Sequence, residues 1–361
     1  MEVTANRVLD AVASRGLDTY LELPRAPLDE AMWAQLAAEA SGARLWGELA
    51  DAVSVGDLPA TDAQATEVFR CHEAAMGTAL ELEALSIEVI DLLAGAGLPV
   101  RLLKGMATAH LDHPDPMRRS FSDVDLLVSP GRFGATIGAL EHAGWRRDLP
   151  ERAPGFDERF GKDATLERDR WGQIDLHRTL VIGAYGLWID LDELWTGAEP
   201  FTLGGHEVWA LDAVRRLLHA CYAAVLSDPQ PRLALIRDIG LLSDRRPDRV
   251  EKALELARTW HGEAVVVAGL RLAAQRLGLA GALRCTDATW TDRAALRSYR
   301  SFGGSNTALR LAGALAIPGW RNRAAYLNAL ARPSADYRAA RTRSGRPAEW
   351  RSGARELLRR R

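Results

Sequence analysis

Ten residues, Arg119-Ser-Phe-Ser-Asp-Val-Asp-Leu-Leu-Val128, constrain this chain more than any other segment. In an extended strand alternate side chains share a face, so Asp123 and Asp125 project together while Val124, Leu126 and Val128 project the other way. Two carboxylates side by side above an apolar back repel, and each raises the proton affinity of the other. That is a poor way to build stability. A divalent cation between them resolves the conflict, because hard Mg²⁺ takes carboxylate oxygens and keeps positions open for substrate phosphates. The strand therefore points to metal-dependent phosphoryl or nucleotidyl transfer. An isolated Asp-x-Asp is more often a solvated turn or a helix start, so the inference depends on what accompanies it.

Two further segments accompany it. In Gln173-Ile-Asp-Leu-His177, Ile174 and Leu176 share one strand face, and Asp175 and His177 share the other. If that strand neighbours Asp123–Val128, Asp175 completes a three-carboxylate cluster able to hold two Mg²⁺ ions about 4 Å apart, the clamp of an in-line displacement. Upstream, the apolar run Pro99–Leu103 ends in Lys104-Gly105. Of 46 basic residues only Lys104, Lys162 and Lys252 are lysine. A lysine where arginine is the habit suits a compact cation on a phosphate oxygen, and Gly105 would let backbone N–H groups approach one closely.

The rest of the chain frames these segments. Residues 1–97 form an N-terminal helical region. Its clearest helix starts at Thr61 with Gln64 as a capping box, and carries Phe69, Met76, Leu80, Ile87 and Ile90 as one core stripe. Residues 98–210 form a strand-rich core, with a helix from Phe133 to His142. It also holds hairpins around Asp169-Arg-Trp-Gly172 and Gly204-Gly205. Residues 211–330 are a C-terminal helical region and 331–361 an Arg-rich tail. The fold class is α+β, a mixed-sheet core between two helical flanks.

Composition excludes several classes. Of the 361 residues 47% are hydrophobic and 26% charged, as in an ordinary globular protein of two or three packed units. Residues 332–361 carry ten Arg against Asp336, Glu349 and Glu356, a local excess of +7 in a chain of net charge −2. With few aromatics there and no basic stripe beside the catalytic segment, nucleic acid is not the expected acceptor. Cys71, Cys221 and Cys285 match no metal spacing and suit a reducing compartment. No signal peptide or membrane-length apolar run is visible, so a cytoplasmic protein is expected. His110, His113 and Asp115, in a loop with Pro114 and Pro116, are expected in a solvated turn, and His219 is expected to be packed on an apolar helix face.

The run Leu102-Leu-Lys-Gly105, then Arg119-x-x-x-Asp-x-Asp-Leu-Leu-Val128, then Ile174-Asp-Leu-His177 resembles a poorly characterised bacterial nucleotidyltransferase family of the DNA polymerase β-like superfamily. The Gly204-Gly205 hairpin, Leu217-Leu-His-Ala220 and Arg237-Asp-Ile239 extend the likeness over roughly residues 80–245. The resemblance implies a nucleotidyltransferase-type mixed sheet, with Asp123, Asp125 and Asp175 as catalytic and metal-binding carboxylates for two Mg²⁺ ions, or Mn²⁺. Lys104-Gly105 stands where the wider superfamily has Gly-Ser at the triphosphate. Arg119 would neutralise phosphate charge or brace the Asp strand, and Ser122 would join the nucleotide site. His177 would be auxiliary: orienting Asp175, binding metal or binding the acceptor. The implied reaction moves an NMP from an NTP, ATP first, to a hydroxyl or similar group on a small molecule, a peptide natural product or a protein, with release of pyrophosphate. Alternatives on the same fold are a catalytically inactive nucleotide-binding or antitoxin-like protein, and a phosphotransferase. The absence of a Walker loop and of a Gly-rich kinase loop weighs against the last.

Overall fold

The computed structural model describes residues 4–168, 172–227, 230–279, 290–301 and 306–343. The hairpin turn at Asp169–Trp171, Cys285 and the tail beyond residue 343 lie outside them. The chain opens with α1 (Ala5–Ala13), α2 (Glu30–Ala43), α3 (Trp46–Ser54) and the 34-residue α4 (Asp62–Gly95). The central part runs β1 (Val100–Leu102), α5 (Lys104–Leu111), β2 (Val124–Val128), α6 (Phe133–His142), β3 (Arg146–Arg147), α7 (Phe156–Phe160), β4 (Asp163–Arg168) and β5 (Gly172–His177). It continues through α8 (Ala184–Trp188), α9 (Leu191–Thr196), β6 (Ala198–Leu203) and β7 (His206–Leu211). Helices α10 (Ala213–Tyr222), α11 (Leu233–Ser243), α12 (Pro247–Thr259) and α13 (Glu263–Leu277) follow. The last are α14 (Trp290–Ser301), α15 (Asn306–Gly313), α16 (Trp320–Ala331) and α17 (Ala335–Arg343). Among the described residues no helix is long and apolar enough to cross a membrane.

The strands form one mixed sheet in the order β3-β4-β5-β2-β1-β7-β6. β2 lies at its centre, antiparallel to β1 and parallel to β5. The alternation of β2 settles which way each side chain points. Val124, Leu126 and Val128 pack with Ile174, Leu176, Ala164 and Leu166, under Val89 and Leu93 of α4 and Phe133 and Ile137 of α6. The opposite face carries Asp125, Asp175 and His177, and at one end Leu127 and Leu103 join the larger helical core of α1–α3 and α10–α13. One face is therefore a fatty layer and the other holds the polar cluster.

α4 begins as its sequence predicts. Thr61 accepts from Gln64 N–H and the Gln64 side chain accepts from Thr61 N–H. Its apolar stripe holds only toward the C-terminal end, where Ile87 and Ile90 pack against the core. Phe69 is 43% and Leu80 57% exposed, and the buried positions are Gln64, Val68, Ser86, Val89 and Leu93. At about 1.5 Å per residue the helix is longer than either core it touches, so only its ends are covered.

Buried charge fastens the layers. Arg119 donates through Nε and Nη2 to Asp238 on α11, with contacts of 2.8–3.2 Å, and His113 Nε2 donates to the same carboxylate at 3.0 Å. Glu48 on α3 lies 2.9 Å from Arg237 Nε and 3.5 Å from His113 Nδ1. The loop expected to be a solvated turn is instead a buried junction, because His113 sits between two acids from distant helices. His110 pairs with Glu83 and only Asp115 caps a local turn.

Candidate active site

β2 and β5 lie in parallel register with Asp125 directly beside Asp175, and β4 sets Thr165 opposite Asp175 and Asp163 opposite His177. Because register partners share a face, these five side chains lie over the same patch of sheet. Asp125, Asp175 and His177 each offer a ligand atom, all within 4.8 Å of one another. Asp123, one step before β2, is not in that group. Its side chain is half-exposed, with Ser122 Oγ 3.5 Å and Arg44 Nη1 3.7 Å from Oδ1.

Asp125 is the buried centre. Its Oδ1 accepts from His177 Nε2 at 2.6 Å and from Lys104 Nζ at 2.7 Å. Burial would raise its pKa, but the charges and hydrogen bonds of His177 and Lys104 outweigh that and hold it far below the usual carboxylate range. The same pairing raises Lys104 against the effect of burial, with Asp123 and Asp175 contributing. Lys104 is also strained. It begins α5 with φ of 46°, in the left-handed region that disfavours side-chain-bearing residues. Such conformations persist where surrounding structure enforces them, and here the Asp125 carboxylate holds the far end of the side chain. Asp175 is oriented from the other side, accepting from Thr165 Oγ1 at 2.6 Å.

Several expectations from sequence are corrected. Of the two roles expected for Arg119, the geometry agrees with bracing: it is enclosed by Asp238 and bonded to the Ser120 carbonyl, and does not present its guanidinium to a phosphate. Gly105 is demanded by packing: a Cβ there would stand 2.7 Å from the Phe121 Cβ. His177 orients Asp125 and not Asp175. His219 is buried as expected, yet it adjoins the cluster, and its Nε2 has no hydrogen-bond partner among the described residues. Burial, together with the nearby charges of Lys104 and His177, holds its pKa well below the usual value.

A family model described as "uncharacterised nucleotidyltransferase" matches residues 29–278. The chain belongs to this nucleotidyltransferase family. Transfer of a nucleotidyl group is therefore its general chemistry. Two solved structures are similar, each at 17% identity. One is the solution structure of the antibiotic-resistance factor ANT(2'')-Ia, with 49% of this chain and 91% of that chain covered and a TM-score of 0.36. The other is an antigenic nucleotidyltransferase-like protein from Paracoccidioides brasiliensis, with 51% and 93% covered and a TM-score of 0.31. At such scores neither is a template for individual residues. No curated protein matches.

Sequence reasoning missed four residues that the structure brings to this cluster. Arg44, the left-handed C-cap of α2, reaches Asp123; its pKa is lowered by burial and by Arg232, with Asp123 opposing. No local pattern marks it, since a helix distant in sequence brings it there. Thr165 and Asp163 were marked only by strand alternation. Asp163 is held below its usual pKa: burial opposes this, but Lys162, bonded at 2.6 Å, His177 and Lys104 prevail. Lys162 had a signal, being one of only three lysines.

The donor set fits a divalent cation. Asp125 and Asp175 supply hard carboxylate oxygens on adjacent strands, each already fixed by a second partner, the arrangement that orients metal ligands.

Proposed function

We propose that this nucleotidyltransferase moves an NMP from an NTP, ATP first, to a hydroxyl-bearing acceptor and releases pyrophosphate. Asp125 and Asp175, with Asp123 at the rim, would hold Mg²⁺ or Mn²⁺. When bound, the metal supplies charge neutralisation at the phosphates and a more acidic acceptor hydroxyl. The observation that carries the reading is the side-by-side register of Asp125 and Asp175, with His177 and Thr165 fixing their rotamers.

The residues divide the remaining work. The acceptor oxygen bonds to the α-phosphorus as the bond to the bridging oxygen of the β-phosphate breaks, and pyrophosphate leaves. Asp175, half-buried and less tightly paired than Asp125, takes the hydroxyl proton. Lys104 and the first turn of α5, which has no side-chain cap, stand on the leaving-group side and neutralise pyrophosphate. Arg44 takes the phosphate role first expected of Arg119. Most of the acceleration then comes from positioning and charge, as in phosphoryl transfer generally.

The Lys104–Asp125 pair favours a second reading, because it neutralises Asp125 without any cation: a nucleotide-binding protein with no turnover. Product analysis with Mg²⁺ and α-labelled NTPs separates the two. Labelled acceptor plus pyrophosphate supports transfer, ADP indicates a kinase, and chelator-insensitive binding without product indicates the silent protein.

A further inference from the structure

In-line displacement puts the attacking and departing oxygens on opposite sides of phosphorus. Along the sheet Lys104, at the end of β1, lies on one side of the Asp125–Asp175 pair, and Thr165 and Asp163 of β4 lie on the other. With pyrophosphate drawn toward Lys104, the acceptor has to arrive over β4. A cavity of about 230 Å³ opens there. Thr165 belongs to its wall and also donates to Asp175, so the cavity and the carboxylate pair share a residue.

We propose that this cavity is the acceptor site, and that it takes a small hydroxyl-bearing molecule carrying a phosphate or carboxylate. The inference rests on the nucleotidyl-transfer reading above. Charge argues for an anion: Arg147, Arg152, Lys162 and Arg310 line the cavity. Against these four cations stand three lining carboxylates, Asp148, Asp157 and Asp163, an excess of one positive charge. Size argues for a small molecule, since drug-sized pockets run to roughly 300–1,000 Å³. Nucleic acid and folded protein are too large to enter as whole molecules.

The far wall is built by the C-terminal helices. Phe156 of α7 stacks on Tyr326 of α16, and Phe160 meets the same ring edge-on. Arg152 donates to Tyr337 Oη at 2.7 Å, and Arg159 donates to Asn322. Residues 306–343 lie beyond the 29–278 matched by the family model. The cavity's far wall therefore comes from a part of the chain outside the region matched by the family model.

The test titrates the full-length chain with glycerol 3-phosphate, and with glycerol as the uncharged control. Glycerol 3-phosphate should bind at least tenfold tighter than glycerol. Arg310→Glu, which reverses a lining charge, and Leu149→Trp, which fills the cavity from its loop side, should each weaken it at least tenfold. The second variant serves if the first does not fold. No binding, no preference for the phosphate, or binding that survives both substitutions overturns the proposal. Label transfer from Mg·NTP by the parent chain is followed separately. Nucleotide turnover without probe binding removes the acceptor site alone. Probe binding without turnover on any acceptor leaves an anion site and overturns its role in transfer.

Discussion

Replacing Asp238 by Asn is a direct probe of what holds the strand bearing Asp125 in place. The carboxylate is 2% exposed and accepts from Arg119 Nε and Nη2 and from His113 Nε2, while Arg119 itself is 8% exposed. Asparagine keeps the shape and one acceptor but leaves the guanidinium as an uncompensated buried charge. Removing one member of such a pair costs about 3–5 kcal/mol, and the retained acceptor puts Asp238→Asn near the lower end, about 3 kcal/mol. Against a total stability of about 5–15 kcal/mol that is a large fraction. Urea unfolding reads it as a midpoint lowered by up to about 1 M, for a slope near 3 kcal/mol/M. The double variant Arg119→Met with Asp238→Asn should recover part of the loss, because no guanidinium is then stranded and the amide oxygen still accepts from His113. A midpoint shift below about 0.3 M, or a double variant less stable than Asp238→Asn, would refute the bracing role of this pair.

Other expectations follow from the same contacts. Asp238 is held at about pKa 2 against an ordinary 3.8, burial opposing and Arg119 and His113 prevailing. A lowered folded pKa gives stability that is complete above about pH 4 and lost as pH falls through 2. Acid titration of the midpoint should therefore show on the order of 2 kcal/mol disappearing in that window, and Asp238→Asn should flatten it. Lys104→Gly relieves a left-handed backbone strain of about 1 kcal/mol and removes the ammonium from Asp125 Oδ1, which keeps its bond from His177. Divalent-cation affinity should rise at least tenfold while kcat falls, and unchanged values of both would count against the assigned role. Arg44→Gln should raise the KM for NTP about tenfold with little change in thermal midpoint, read by steady-state kinetics and thermal melting.

How much of this was legible beforehand depends on range. The carboxylates were readable because period-two alternation separates Asp125 from Val124 and Leu126, and Asp175 from Ile174 and Leu176. Their meeting needed β2 and β5 to be neighbours, which the shared pattern suggested and the parallel register supplies. The capping box of α4 was local chemistry and readable as such. The α4 stripe was readable only in part: Ile87 and Ile90 pack on the core while Phe69 and Leu80 are exposed, because periodicity reports which face is apolar and not whether anything covers it. Arg119, Arg44 and His113 were opaque for a common reason. Asp238 lies 119 residues from Arg119, and no local pattern states where a buried guanidinium finds its carboxylate. The cavity wall was hidden likewise, since segments 147–165 and 306–337 meet only in the folded chain.

Mn²⁺ titration of the parent chain and of Asp175→Asn, followed by the loss of free-ion paramagnetic resonance, tests the central claim most directly. The account predicts saturable binding by the parent and at least tenfold weaker binding by the variant at an unchanged thermal midpoint. Equal binding by the two chains would contradict it.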